Sequence, residues 1–290
     1  RDRTKSRGLG DVYKRQDFGS PDMIIMNSGG PATHLASNSI LCGPSKTRVV
    51  IKQPSSLKSG QGCDALSGEI VIDYDKLNFT AEVEEWKHGC WYHANIISAN
   101  NMADLFNKLA ELTPDVDLLL EADELLPSGP FWSGATTYDL IQWTQPLNLT
   151  NVPAEGDILA VMWLVEDYVI HSNLSKEFQV LGTNSKWVDR VLQTIEREEI
   201  IHQIAEQVPN DAVEKSTLSD LEHIASIERI KQSIAEGVLY QVNFGRFWSG
   251  SLVEAPLTIF QRLCLINPAP FSVFIEAHDL GLAIVSSSPE

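Results

Sequence analysis

The residues with chemical potential crowd into the last fifth of the chain. Ser286, Ser287 and Ser288 end an apolar, strand-like stretch and are followed by Pro289 and Glu290, so hydroxyls, backbone N–H groups and one carboxylate meet at a strand end. Such a set suits a small hydroxylated dianion, held by hydrogen bonds and acted on by proton transfer. Glu290 is the one acid or base on offer there, although a lone carboxylate at a strand end is far more often solvated and inert. Ile230-Lys231, Tyr240-Gln241-Val242-Asn243 and Asn267-Pro268-Ala269-Pro270-Phe271-Ser272 precede it in order, and packing alone would explain each. Other candidates are weaker. His88, Cys90 and His93 do not complete a zinc spacing and have no fourth ligand nearby, so a strand with two exposed histidines fits better. Ser28 follows an apolar run and reads first as a turn or cap residue. The chain has no glycine-rich phosphate loop and no nucleophile elbow.

The elements that must position these groups follow from hydrophobic period and breaker residues. Segments 23–26, 39–42 and 48–51 read as strands bounded by Gly43 and Pro44, and 69–74 and 90–97 add more. Residues 101–112 carry Leu105, Leu109 and Leu112 at helical spacing. The stretch 129–143 reads as a glycine-rich bend leading into Tyr138-Asp139-Leu140-Ile141, 158–170 as a core strand or hairpin, and 184–206 as a helix. Ser219 caps the next helix with Glu222 in capping-box position, and Leu221, Ile224, Ile227, Ile230 and Ile234 form one apolar face. Gly237 ends that helix. A strand over 239–248, a helix over 257–264 and a hairpin of 272–276 with 282–286 around Asp279-Leu280-Gly281 complete the pattern.

Composition bounds the rest. The 290 residues are 43% hydrophobic, enough for one large or two ordinary domains with real cores. Residues 1–16 stand apart: they lack a hydrophobic period, and one codon choice for Asp11 to Gln16 spells a common sequencing-adapter end. They are expected to be adapter-derived and are excluded from fold reasoning. The formal charge is −17, and setting that segment aside removes six Lys/Arg against two Asp/Glu, leaving a still more acidic chain. Nucleic acid is therefore not an expected partner, and an anionic substrate would need a local cluster of positive charge or backbone N–H groups. Four widely spaced cysteines, no signal peptide and no apolar run of bilayer length point to a cytoplasmic protein with reduced thiols and no membrane partner. The triplets beginning at Asn78, Asn148 and Asn173 are then chance sequons. The polar segment 208–217 is the candidate boundary between a first domain, 17–215, and a second, 216–290, which is expected to be cut short at Glu290.

Taken in order, the four motifs resemble the opening of the chorismate-binding domain shared by anthranilate, aminodeoxychorismate, isochorismate and salicylate synthases. The resemblance implies an α/β (α+β) fold, an anthranilate-synthase-like sandwich of antiparallel β-sheets flanked by helices, with its second half incomplete here. Glu290 matches the glutamate that serves catalysis by helping a proton reach or leave the displaced ring hydroxyl. Gln241-Val242-Asn243 and Ala269-Pro270-Phe271-Ser272 look more like the aminodeoxychorismate synthases. Anthranilate synthases more often carry valine at the place of Asn243 and Pro-Tyr-Met at 270–272. Val238 departs from the Gly-Asp pair usual after this helix. Asn27-Ser28-Gly29, the Ser39 to Pro44 strand and turn, Gly134 and Tyr138-Asp139 are similar to the family's first domain. Gly134 and Tyr138-Asp139 are expected to be structural, whereas the two earlier segments imply a tryptophan pocket of Ser28 and the backbone of Pro270-Phe271-Ser272, with His34, Leu35, Ala36 and Ser37 aligned to further pocket positions. The resemblance further implies chorismate as substrate, a glutamine amidotransferase partner supplying ammonia, and Mg²⁺ whose ligands would fall beyond residue 290. On that reading the chain alone is inactive. An anthranilate synthase, a tryptophan-holding module without catalysis and an isochorismate synthase are the alternatives.

Overall fold

The computed structural model describes residues 20–30, 35–53, 61–63, 70–72, 79–99, 101–114, 127–143, 152–196 and 215–289. The chain divides into two compact units, Arg1–His202 with Leu263–Glu290, and Gln203–Arg262. Most of the candidate boundary 208–217 lies outside the described residues.

Two antiparallel sheets build the larger unit. One holds six strands in the order β11-β10-β2-β1-β14-β15. They are β1 (Met23–Asn27), β2 (Asn38–Cys42), β10 (Tyr168–Ser172), β11 (Phe178–Leu181), β14 (Phe271–Ala277) and β15 (Leu282–Ser288). The other holds five in the order β7-β6-β3-β9-β8, namely β3 (Thr47–Lys52), β6 (Phe79–Lys87), β7 (Cys90–Ala99), β8 (Phe131–Thr136) and β9 (Ile158–Val165). A separate pair joins β4 (Gln61–Cys63) to β5 (Ile70–Ile72). The sandwich of antiparallel sheets expected from the sequence is thus observed.

Both faces of β3 and β9 are covered. Val50, Val161, Trp163 and Val165 share a core with Ile24, Cys42, Tyr168, Ile170 and Ile275 of the six-stranded sheet. Val49, Ile51, Leu159 and Met162 belong instead to a second core with Phe79, Ala81 and the helix α1 (Met102–Glu111) through Met102, Leu105 and Leu109. A strand buried on both sides needs no polar alternation, which explains the unbroken apolar run of β9.

Two expectations for the larger unit need correction. Residues 158–170 form neither one strand nor a hairpin: β9 and β10 belong to different sheets, and the chain crosses between them at Glu166-Asp167. Asp167 fixes that crossing, since its carbonyl accepts the Gly43 N–H at 2.6 Å and its carboxylate accepts the N–H groups of Thr183 and Asn184 at 2.7 and 3.0 Å. The latter bonds lead into α2 (Ser185–Glu196), where Trp187 and Val191, four residues apart, are fully buried. The glycine-rich bend is likewise a strand, β8, followed by a 3-10 helix at Tyr138–Trp143. Gly134 is needed there because a Cβ would run into the Val161 carbonyl of the neighbouring strand.

A buried ion cluster sits between the sheets. Arg48 of β3 is 1% exposed and bonds Asp22, Glu84 and, through both terminal nitrogens, Asp279 in the β14–β15 turn. Its guanidinium also lies 4.4 Å from the Trp91 ring centre. Asp22 in turn accepts the indole N–H groups of Trp163 at 2.8 Å and Trp91 at 3.1 Å.

The smaller unit contains α3 (Asp220–Ala235), the two-residue strands β12 (Lys215–Ser216) and β13 (Trp248–Ser249), and the start of α4 (Pro256–Ile266), within which the chain returns to the larger unit. The capping box is present: Ser219 Oγ accepts the Glu222 N–H and Glu222 accepts the Ser219 N–H. Gly237 follows the helix at φ 74°. No residue of α3 is buried, however, and Leu221 is 80% exposed. The expected strand over 239–248 shrinks to Trp248–Ser249, which finds only Lys215–Ser216 to pair with among the described residues. Apolar residues without a ladder partner do not make a strand.

Candidate functional site

Strand register decides which of the candidate residues meet. Asn27, the last residue of β1, lies opposite Ser272 in β14, and Ser272 lies opposite Ser287 in β15. Phe271 faces Ser288, and Val273 faces Ser286. The exit of β1 into Ser28-Gly29, the entry of β14 from Pro268-Ala269-Pro270 and the serine-rich end of β15 therefore share one end of the six-stranded sheet. Gly29 donates its N–H to the Ala269 carbonyl at 2.8 Å, and a Cβ at Gly29 would sit only 3.2 Å from that oxygen. A glycine after Ser28 thus lets the two turns close on each other.

Within this cluster Ser272 is fully buried, and its hydroxyl reaches the Ala269 carbonyl at 3.3 Å and Ser287 Oγ at 3.4 Å. Ser287 donates to the Asn267 carbonyl at 2.7 Å. These hydroxyls brace the turn that leads into β14. Asn27 Nδ2 donates to Cys264 Sγ at 3.6 Å. Burial pushes the Cys264 thiol up to about 11, against hydrogen bonds from Ser272 and Asn27, so it is a neutral thiol and a poor nucleophile.

The other side is built by β2 and the turn after β10. Ser28 donates its N–H to Ser39 Oγ at 3.0 Å. Asn173 Nδ2 donates to the carbonyls of Ser28 at 2.7 Å and Ala36 at 3.0 Å, and the Asn173 N–H donates to the Ser37 carbonyl at 2.7 Å. Ala36 is buried and Leu35 half-exposed. Asn173 is the residue that sequence reasoning missed. Its position beyond β10, whose last residue Ser172 pairs with Asn38 of β2, becomes visible only with the strand order.

Of the tryptophan-site candidates, Ser28, Leu35, Ala36, Ser37, Pro270, Phe271 and Ser272 therefore lie at the same sheet end. His34 and Glu290 are outside the described residues. Lys231 and Tyr240-Gln241-Val242-Asn243 belong to the smaller unit, where Lys231 pairs with Glu228 at 2.9 Å on the helix surface and Tyr240 is 95% exposed. His88 occupies the β6–β7 turn at φ 50°, while Cys90 and His93 lie exposed on β7. Among the described residues no three His, Cys, Asp or Glu side chains are grouped to hold a metal ion, and no helix is long and apolar enough to cross a membrane. A cavity of about 610 Å³ opens elsewhere, lined by Asp139, Val152, Pro153 and Asp157, and its lining includes none of the candidate site residues.

Residues 76–290 match the model of the chorismate binding enzyme family. The chain belongs to that family. It is similar to aminodeoxychorismate synthase component 1 of Bacillus subtilis, 38% identical over 65 residues that cover 22% of this chain and 13% of that protein. It is also similar to anthranilate synthase component 1 of Aquifex aeolicus, 24% identical over 185 residues covering 58% of this chain and 37% of that protein. The solved structure of anthranilate synthase component I from Streptococcus pneumoniae overlays with a TM-score of 0.50 at 16% identity, covering 90% of this chain and 52% of that one. The chorismate-binding fold is thereby supported for the sandwich, and the chain spans about half or less of the length of these relatives.

Proposed function

We propose that the chain is part of an aminodeoxychorismate synthase component I. In that reading the C4 hydroxyl of chorismate leaves as water and ammonia from a glutamine amidotransferase partner takes its place, giving 4-amino-4-deoxychorismate for p-aminobenzoate and folate synthesis in the cytoplasm. The observation that carries it is the 38% identity to the Bacillus subtilis protein over a short stretch, against 24% to the Aquifex aeolicus anthranilate synthase over a longer one. Asn243 and the Pro270-Phe271-Ser272 turn lean the same way. Residues 17–215 are then the family's first domain and 216–290 the opening of its catalytic domain.

Glu290 is assigned the proton transfer at the departing hydroxyl, where a carboxylic acid lowers the barrier by protonating the leaving oxygen. Ser28 and the backbone of residues 270–272 are assigned to L-tryptophan, held at the sheet end described above. Mg²⁺ prefers several carboxylate, substrate and water oxygens. The described residues offer no such set, so no residue of this chain is given to the metal and no step is routed through it.

The greater length of the anthranilate synthase matches favours a second reading, anthranilate formation. The products separate the two. Incubating the full-length gene product with chorismate, ammonium and Mg²⁺ and weighing the product by mass spectrometry should give a compound that keeps the enolpyruvyl ether. Loss of pyruvate to an aromatic amine would establish the second reading instead. In the full-length protein Glu290→Gln is expected to lower kcat at least about 100-fold, the size of a general acid–base contribution.

A further inference from the structure

We infer that Asn173 is the positioning residue of the Ser28 site, an inference that rests on the tryptophan reading above. The geometry singles it out. One side-chain amide nitrogen bridges two carbonyls from different strand ends, Ser28 after β1 and Ala36 before β2, at 2.7 and 3.0 Å. The backbone N–H of the same residue holds the next carbonyl along, Ser37, at 2.7 Å. Three carbonyls flanking the 28–37 connection thus converge on a single residue contributed by a third strand end.

The consequence falls on Ser28. Its N–H is taken by Ser39 Oγ and its carbonyl by Asn173, so both peptide groups are fixed by the scaffold. Its hydroxyl has no partner among the described residues and is the group left to meet a ligand. The Gly29 N–H ties the Ser28 peptide across to Ala269, and the Ser272 and Ser287 hydroxyls brace the facing turn. Removing Asn173 would leave that cross-tie in place but release the Ser28 and Ala36 carbonyls from each other, loosening the Ser28 side of the site. Only an amide meets the need. An aspartate of the same shape would present oxygen to two carbonyl oxygens at neutral pH, whereas a protonated carboxyl regains one O–H donor. Glutamine carries the donor on a longer arm, and alanine lacks it. Asn173 touches no substrate in this account; it acts through the position of Ser28.

The test is tryptophan binding by calorimetry to the whole chain, as wild type, Asn173→Ala and Asn173→Asp, over a pH series with thermal melts of each sample. Wild type should bind. Both variants should lose affinity about tenfold or more at neutral pH, the loss expected when one or two hydrogen bonds cease to preorganise a site. Asn173→Asp should regain part of that loss as the pH falls and its carboxyl takes up a proton, while Asn173→Ala should not. Equal affinity of Asn173→Ala and wild type overturns the inference, and so does an equal loss in both variants at every pH, which would mark packing rather than the donor. Should both variants fail to fold, hydrogen exchange on the wild type decides: saturating tryptophan should slow exchange of peptides covering 28–39 and 172–174 together, and protection of the first without the second overturns it. A folded wild type that binds no tryptophan removes the parent reading, and the role of Asn173 with it.

Discussion

Helices α1 and α3 make an instructive pair. Both are capped by a polar residue, Asn101 for α1 and Ser219 for α3, and both repeat apolar residues at helical spacing. α3 is the longer, with 16 residues against 10, and has the fuller cap. Yet α1 buries Met102, Leu105 and Leu109 against the five-stranded sheet, while α3 buries nothing. Periodicity and capping decide that a helix forms; a facing apolar surface decides whether it contributes to a core. The same contrast separates the larger unit, where Trp163, Trp187 and Arg48 are fully buried, from the smaller, where Phe247, Trp248 and Leu252 stand more than half exposed.

The largest effect is expected at the enclosed charge. Arg48→Ala leaves Asp22 buried without its cation and is expected to cost about 3–5 kcal/mol in denaturant unfolding of the larger unit, the size seen when one partner of a buried pair is removed. Next come matched truncations of the two helices. Leu105→Ala should cost about 2–5 kcal/mol and Ile224→Ala no more than about 0.5 kcal/mol, and similar costs at both sites would erase the distinction. Removing the cap by Ser219→Ala should weaken α3 by about 1 kcal/mol, seen as faster amide exchange within 220–235 and not as a shift of the main unfolding transition.

The smallest expected effect is a pH dependence. Burial, the dominant cause, holds the Asp22 carboxyl above the usual carboxylate range, although the Trp163 N–H and the Arg48 charge pull it down. The folded chain therefore binds that proton more tightly than the unfolded one. The stability this group adds is full below the ordinary carboxylate range and is lost as pH rises through the folded value. Asp22→Asn should flatten that part of the curve of unfolding midpoint against pH, and an unchanged curve would show that Asp22 does not titrate differently in the two states.

Much of this was legible in the sequence. The β14–β15 hairpin, its Asp279-Leu280-Gly281 turn and the Ser219 capping box follow from local chemistry, and the structure has them where spacing puts them. The strand over 239–248 failed because strand formation depends on a partner that local sequence does not specify. The crossing at Asp167 was hidden because a doubly buried strand and a hairpin arm share the same apolar composition. In the candidate site, Ser28 and the Pro270 turn were found by resemblance. Asn173 was not, since its two carbonyl partners are 145 and 137 residues away along the chain.

The tryptophan proposal requires Ser28 and the turn at residues 270–272 to form one ligand site at the end of the six-stranded sheet. Calorimetric titration of L-tryptophan into the 290-residue chain and its Ser28→Ala variant tests it most directly. Saturable one-site binding is expected in the wild type, with its loss in a variant that melts at the same temperature. Undiminished binding by Ser28→Ala, or no binding by a folded wild type, would contradict it.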